Sequence, residues 1–552
     1  MLKPLQGNNK NLSLFVLCCL GIICLGIGAR VLLYLRNDSF WLDETYVAYQ
    51  VTQQTFGEIF SGFSVLKGQP VSPALFSAAA KIFALIFGNH EMALRLVPFV
   101  FGLSALILFY FLARLYFSDK TFFLLACALF AVSPPLIRYC AEFKMYASDV
   151  WSAVLMLYLF ERLDRRGWDG RAILIIGEVC AVIMWLSYPA VFFLPGFFIV
   201  LFWKIKERLN AGTIKAVVFT GGIWITNGLL LYLLFIRRVS SGDSLSMEIW
   251  SQTPALFHDG GRLGVMAWGA GRLWDMMRFF FSPQGAWIAA VLCGTGIIVM
   301  TRTRWQRAVV LGSPLLWVFM FSFFGRYPFY ERFILFLCPS VLVFCTQGFL
   351  FFYETLPQKY RYVFIGFVSV CLSVLSFNGA VKGFSMDSGR AQNREVFQYF
   401  QRALQPGDLV ILNNQAQFPL VYYLASLDMD TTMFPSYARA GGCRVADASV
   451  FGVIPEENID TGKGAAIMTE VFFADDQRRR FLPREKSVDR FDLGPDLPFC
   501  FTDKQRVWVL FSHLSNDKRA FCLESLKAHG RILDRFEANG ASLYLFDFSR
   551  KG

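Results

Sequence analysis

The stretch Pro73-Ala74-Leu75-Phe76-Ser77-Ala78-Ala79-Ala80-Lys81-Ile82-Phe83-Ala84-Leu85-Ile86-Phe87 decides how the chain is threaded. It is apolar but short, and it carries a lysine. A helix that crosses the hydrocarbon needs about 20 apolar residues. The run therefore reads either as a span or as an amphipathic helix lying on the membrane surface. Positive charge chooses between them. With the run flat on the outer side, every later basic cluster falls on the inner side: Arg114 with Lys120, Arg162 to Arg171, Lys204 to Lys215, Arg302 to Arg307, and Lys359 with Arg361. With the run as a span, all of them fall outside. Lys and Arg collect in cytoplasmic loops, so the surface helix is the consistent reading.

Working outward, spans are predicted over residues 11–35, 91–113, 121–137, 149–160, 172–189, 190–202, 216–236, 283–300, 308–324, 333–352 and 363–380, about eleven in all. The first run is too long and too glycine-dotted for a signal-peptide core, so it reads as a retained helix, with Lys3 and Lys10 holding the N-terminus in the cytoplasm. An odd count then leaves the C-terminal segment outside. Residues 37–70 and 237–281 are predicted as long external loops.

Composition agrees. The chain has 552 residues, 55% hydrophobic, 17% aromatic and 17% charged, with a mean hydropathy of +0.46. That balance is a polytopic membrane protein's. The net charge of +12 does not point to nucleic acid, because the basic residues sit in short links between apolar runs. Cys18, Cys19, Cys24, Cys180, Cys345 and Cys371 lie inside such runs and read as small hydrophobes. No Cys/His spacing of the metal-binding kind is present. Cys140, Cys443, Cys500 and Cys522 face outward, where some of the last three are expected to pair; no connectivity follows from spacing.

Residues 1–380 thus form a membrane domain and 381–552 a second, external domain. In the latter, residues 408–413, 506–512 and 541–547 read as short buried strands. Val396, Phe397, Phe400 and Leu404 recur at helical spacing, and residues 518–529 read as a further helix. The expected fold class is a polytopic α-helical membrane protein with external juxtamembrane helices and a C-terminal soluble α/β domain.

Phe40-Trp41-Leu42-Asp43-Glu44-Thr45-Tyr46 follows the first span directly. Two adjacent carboxylates stand there at the membrane boundary among interfacial aromatics, and acids so close to lipid are costly enough to suggest a function. Three further stretches share that side. They are Gln69-Pro70-Val71-Ser72-Pro73; residues 133–146, which include Arg138, Glu142, Lys144 and Tyr146; and Tyr327-Pro328-Phe329-Tyr330-Glu331-Arg332. In this order, with Arg95-Leu96-Val97-Pro98 between them, they resemble the C-type glycosyltransferases, which include the dolichyl-phosphate-mannose protein mannosyltransferases and the lipid A aminoarabinose transferase. The resemblance covers roughly the first 380 residues. Gln69 and Gly68 stand where members often have an acid or a histidine, and Cys140 where a serine is common.

The resemblance implies transfer of a monosaccharide from a polyprenyl-phosphate donor to an acceptor hydroxyl on the external face, with inversion. The acceptor class (glycan, lipid or protein) stays open. Asp43 is expected to be the general base. Glu44 orients the acceptor or binds a metal, and Glu142 is a second acidic site. Arg332 pairs with the donor phosphate, since a guanidinium offers it two donors at once. Arg326, Arg138 and Lys144 are weaker candidates of the same kind; Tyr146, Tyr330 and Gln69 are expected to line the substrate. No cofactor is certain and a divalent metal stays open. Partners are the donor, the acceptor and membrane lipids, without nucleic acid, and a bacterial inner membrane is the expected location. A secondary transporter would show inverted repeats, and none is found. A scaffold or sensor would need far fewer spans. His90, His258 and His513 show no partner pattern, so the sequence assigns them nothing.

Overall fold

A computed structural model describes residues 9–63, 72–207, 211–237, 264–361, 363, 366, 391–405, 408–412, 416, 419–420, 422–423, 466–468, 506–514, 516–528 and 530–549. Its N-terminal part is helical: α1 Asn9–Arg36, α2 Leu42–Gln53, α3 Phe56–Ser61, α4 Ala74–Phe87, α5 Glu91–Tyr116, α6 Lys120–Ala131, α7 Pro134–Arg138, α8 Tyr146–Arg166, α9 Gly170–Leu186, α10 Leu194–Glu207, α11 Ala211–Leu231, α12 Gly264–Thr303, α13 Trp305–Phe323 and α14 Cys338–Thr355. Short 3-10 turns at Tyr139–Ala141, Tyr188–Phe193 and Glu331–Leu337 lead into or out of these helices.

Among the described residues, six helices are long and apolar enough to cross a bilayer, and a bent pair, Lys120–Ala131 with Pro134–Ala141, would make a seventh. The protein is an integral membrane protein. The other segments predicted as spans are also helical, but α8, α9 and α10 do not reach the same length and apolarity together. The predicted span over 363–380 lies almost wholly outside the described residues. α4 has 14 residues, about 21 Å of helix, well short of the hydrocarbon thickness. Its lysine does not face lipid: Lys81 Nζ donates to the carbonyls of Val51 at 3.3 Å and Thr52 at 3.4 Å, at the C-terminal end of α2, where a cation also suits the helix dipole.

The predicted external loop over 237–281 needs correction. From Gly264 onward it is helix, the first limb of α12, which breaks at Ser282 with φ 67°. Pro283 follows, and a proline disfavours helical geometry in the residue before it. Asp275 supports that limb by pairing with Arg272 at 2.8 Å and Arg278 at 3.8 Å.

Two buried features fix the region around the acidic motif. Arg30, inside α1, donates to Ala131 O at 2.9 Å and Phe130 O at 3.5 Å, satisfying the C-terminal carbonyls of α6 where Pro134 prevents the helix from running on. Gly102 on α5 has no room for a side chain, since a Cβ there would lie 2.4 Å from Cys140 Cβ. That close approach seats the 139–141 turn, and with it Glu142, directly on α5.

The C-terminal part begins with α15, Asn393–Ala403, whose Val396, Phe397 and Phe400 are buried as their spacing predicts. A five-stranded sheet follows in the order β2-β1-β3-β5-β4, with β1 Leu409–Leu412, β2 Ala466–Met468, β3 Val507–Ser512, β4 Arg531–Ala538 and β5 Ala541–Asp547. β1 runs parallel to β2 and β3, while β5 is antiparallel to β3 and β4. α16, Asn516–Lys527, precedes β4. β4 was not predicted: it alternates exposed and half-buried residues and turns into β5 through Asn539-Gly540, with Gly540 at φ 65°, as tight hairpins favour. Cys522 is buried and makes no disulfide among the described residues; Cys443 and Cys500 lie outside them.

One apolar core joins the two parts. Phe40, Val47, Val51, Phe76, Leu94 and Phe143 on the membrane side pack in one cluster with Phe397, Phe400, Tyr423, Trp508 and Leu543 of the C-terminal side.

Candidate active site

α2 begins at Leu42, with Trp41 as an N-cap that offers no side-chain cap. Asp43 and Glu44 thus occupy its first turn, where the helix dipole favours negative charge. From there the two side chains diverge.

Glu44 is fully buried. It accepts from Arg95 Nε at 2.9 Å and Nη2 at 2.8 Å, and from the Phe143 amide at 2.7 Å. Arg95 also donates to Asp38 O and, at 3.4 Å, to Ser39 O, and stacks over Phe40 at 4.6 Å. The expectation that Glu44 orients an acceptor or binds a metal is therefore corrected: both its oxygens are engaged in a buried pair that ties the start of α2 to α5 and to the Glu142 loop.

Asp43 points the other way. Its Oδ2 meets Arg332 Nη1 at 2.6 Å, and the two side chains keep 22% and 19% of their surface in contact with solvent. Arg332 rises from the 3-10 turn before α14 and lies among the rings of Trp41 at 5.4 Å, Tyr146 at 6.0 Å and Phe333 at 5.4 Å. Its Nε and the indole Nε1 of Trp41 are buried without a hydrogen-bond partner among the described residues. Such groups are costly in a native structure unless something else satisfies them.

Glu142 is fully buried and acts electrostatically on Arg332. Lys144 is half-buried in the same loop. Burial pushes its ammonium below the usual lysine range, with Asp43 opposing that shift. Arg138 is exposed, lies over Tyr139 at 5.5 Å and is near enough to Tyr330 to act on its hydroxyl; Tyr330 is 41% exposed. Five of the residues predicted from sequence therefore come together: Asp43, Glu142, Lys144, Tyr146 and Arg332. Arg138 and Tyr330 stand at the rim. Arg326 does not join them; it is exposed, and its backbone amide donates to Phe321 O at 2.8 Å. Gln69 lies outside the described residues. Among those residues, no three His, Cys, Asp or Glu side chains are grouped to hold a metal ion.

The C-terminal side contributes what the sequence did not assign. His513 Nε2 accepts the Leu42 amide at 3.1 Å, and its ring lies 6.2 Å from that of Trp41. Burial pushes the imidazole down to about 4, with Asp43 opposing. Tyr423 Oη accepts from the Phe40 amide at 2.8 Å and donates to Glu91 at 2.8 Å. Arg394 binds Glu91 and Asn37 O, each at 2.8 Å.

This arrangement has relatives of known structure. ArnT from Cupriavidus metallidurans in the apo state is similar over 97% of this chain and 98% of that one, at 11% identity and a TM-score of 0.51. The chain shares the fold of that protein over nearly its whole length. The Archaeoglobus fulgidus oligosaccharyltransferase in complex with Zn and sulfate is similar in fold over 96% of this chain and 73% of that one, at 11% identity and a TM-score of 0.50. In its apo form the same archaeal protein aligns at 13% identity and a TM-score of 0.47 over 74% of this chain, which then spans only 63% of the other's length. A family model described as dolichyl-phosphate-mannose-protein mannosyltransferase matches residues 71–232. No curated protein matches the sequence.

Proposed function

We propose that this membrane protein is a C-type glycosyltransferase that transfers a monosaccharide from a polyprenyl-phosphate donor to an acceptor hydroxyl, at a site on the external face of the membrane. The single observation that carries the reading is the Asp43–Arg332 pair: an acid and a guanidinium in contact at 2.6 Å, partly open to solvent, beside buried donors that find no partner among the described residues. The family model over residues 71–232 agrees with it.

The chemistry follows from these groups. The donor phosphate takes Arg332 from Asp43, because the phosphate brings more negative charge and oxygens that match the guanidinium fork. Lys144 adds a second cation. Asp43, released, accepts the proton of the acceptor hydroxyl as its oxygen bonds to the anomeric carbon. The bond from that carbon to the phosphate oxygen breaks, and polyprenyl phosphate leaves with the electron pair, its charge balanced by Arg332 and Lys144. Attack opposite the leaving group inverts the anomeric centre. Tyr146 and Trp41 border the sugar, and Glu142 keeps the two cations in place. Residues 1–380 form the membrane domain and 381–552 the external one, with a bacterial inner membrane as the setting.

Purified protein in nanodiscs, given a panel of undecaprenyl-phosphate-linked hexoses and pentoses with membrane extract as acceptor, should release undecaprenyl phosphate from at least one. Asp43→Asn should release it at least about 100-fold more slowly. Equal release by that variant, or none by the wild type with any donor, would remove the reading.

A further inference from the structure

The segment before Asp43 is held from the C-terminal side by a closed run of hydrogen bonds with one consistent direction. The Leu42 amide donates to His513 Nε2 at 3.1 Å, so that nitrogen carries no proton. A neutral ring then bears its proton on Nδ1, which lies 2.9 Å from Ser512 Oγ and donates to it. Ser512 Oγ donates to Asn393 Oδ1 at 2.7 Å. Asn393 Nδ2 donates to Phe40 O at 3.0 Å. The run starts at the Leu42 amide and ends at the Phe40 carbonyl, so it brackets Trp41 and stops one residue short of Asp43.

Three physical points make His513 the key member. Leu42 is the first residue of α2, and its amide is one of the donors a helix start leaves unsatisfied. Serine, threonine, aspartate or asparagine would normally cap such an end from within; here Glu44 takes the Trp41 amide at 3.4 Å, and the Leu42 amide is taken by a residue far along the chain. His513 also sits in left-handed backbone geometry, at φ 59°. For a residue other than glycine that conformation is costly, and it persists where the surrounding structure demands it. Finally, a neutral acceptor leaves Asp43 free to face Arg332 rather than turn back and cap its own helix.

We propose that His513 is a positioning residue for the reaction: by capping α2 from the C-terminal domain, it fixes Asp43 in register with Arg332, so that turnover depends on docking of that domain. This rests on the reading of Asp43 as the base.

Two measurements separate this proposal from that reading. The first is release of undecaprenyl phosphate from the donor panel by wild type, His513→Ala and His513→Gln. Glutamine places a side-chain acceptor near the Nε2 position. His513→Ala should lower kcat at least tenfold and change the donor KM less than threefold, and His513→Gln should return kcat to within threefold of wild type. The second is hydrogen exchange of the peptide over residues 37–44 in nanodiscs without substrate. The Leu42 amide should exchange at least tenfold faster in His513→Ala and near the wild-type rate in His513→Gln, with α5 peptides unchanged.

Wild-type kcat and wild-type exchange in His513→Ala would overturn the proposal. So would equal loss in both variants together with lowered melting temperature, which would mark His513 as structural only. If no donor is used by the wild type but exchange changes as described, the transferase reading falls, the catalytic role of His513 falls with it, and the cap on α2 is upheld.

Discussion

Asp43 and Glu44 are neighbours in the chain, each paired with an arginine, yet the two pairs belong to different regions of the molecule. Glu44–Arg95 is sealed in the joint between membrane helices and C-terminal sheet, with side chains 0% and 2% exposed, and its carboxylate is filled by Arg95 and the Phe143 amide. Asp43–Arg332 is partly open to solvent, in contact at 2.6 Å, and among the described residues Arg332 Nε and Trp41 Nε1 beside it find no partner. The chemistry of the two pairs is the same, so burial and saturation decide what each does. A closed pair fastens elements together. An open pair can exchange one partner for a substrate.

The sharpest way to break this comparison is to mutate both acids. Asp43→Asn should lower kcat by about 100- to 10,000-fold, the usual range for loss of a general base, with yield and melting temperature close to wild type. Glu44→Gln should do the reverse. Breaking a buried pair leaves an uncompensated charge on Arg95 and costs about 3–5 kcal/mol, so folded yield and melting temperature should collapse, and activity only with them. A stable, inactive Glu44→Gln would erase the distinction.

The Asp-Glu motif, the loops around Glu142 and Arg332, and most helices were legible in the sequence, because apolar length, interfacial acids and basic clusters all leave local marks. The division of labour between the acids was not. Arg95 lies about one long loop and a surface helix away from Glu44, and nothing local reports that they meet; an arginine at the head of an apolar helix was the available sign. His513 was silent for a different reason. Its partner is a backbone amide, which carries no residue identity. β4 was missed because its apolar residues, Ile532, Leu533, Phe536 and Ala538, do not alternate regularly with its charged ones, and its register shifts between Ile532 and Asp534; the Asn539-Gly540 turn after it was the stronger clue.

Smaller effects sharpen the comparison further. Arg332→Ala should weaken binding of undecaprenyl phosphate at least tenfold, about the value of a charge-assisted bond, and Arg332→Lys should recover part of it, since the charge remains but the planar fork is lost. Titration in a vesicle-free detergent system would check this, and unchanged affinity in Arg332→Ala would count against the open pair as the phosphate site. Arg326→Ala, outside the cluster, should change the same affinity less than twofold.

The His513 cap should be sensitive to pH. Its imidazole is pushed from an ordinary 6.5 to about 4 in the fold, with Asp43 as the opposing charge. As pH falls the unfolded chain is protonated first, so the contribution is full above about 6.5 and is lost as pH drops toward about 4. Melting curves of wild type and His513→Gln should therefore diverge across that window, with the wild type losing more. Parallel curves would mean that His513 is not held neutral.

The central claim is that Asp43 gives up Arg332 to the donor phosphate. A structure of the protein in nanodiscs with undecaprenyl phosphate bound tests it most directly. The account predicts phosphate oxygens within hydrogen-bond distance of Arg332 and an Asp43 carboxylate that has left it. Phosphate bound elsewhere, with the Asp43–Arg332 contact intact, would contradict the account.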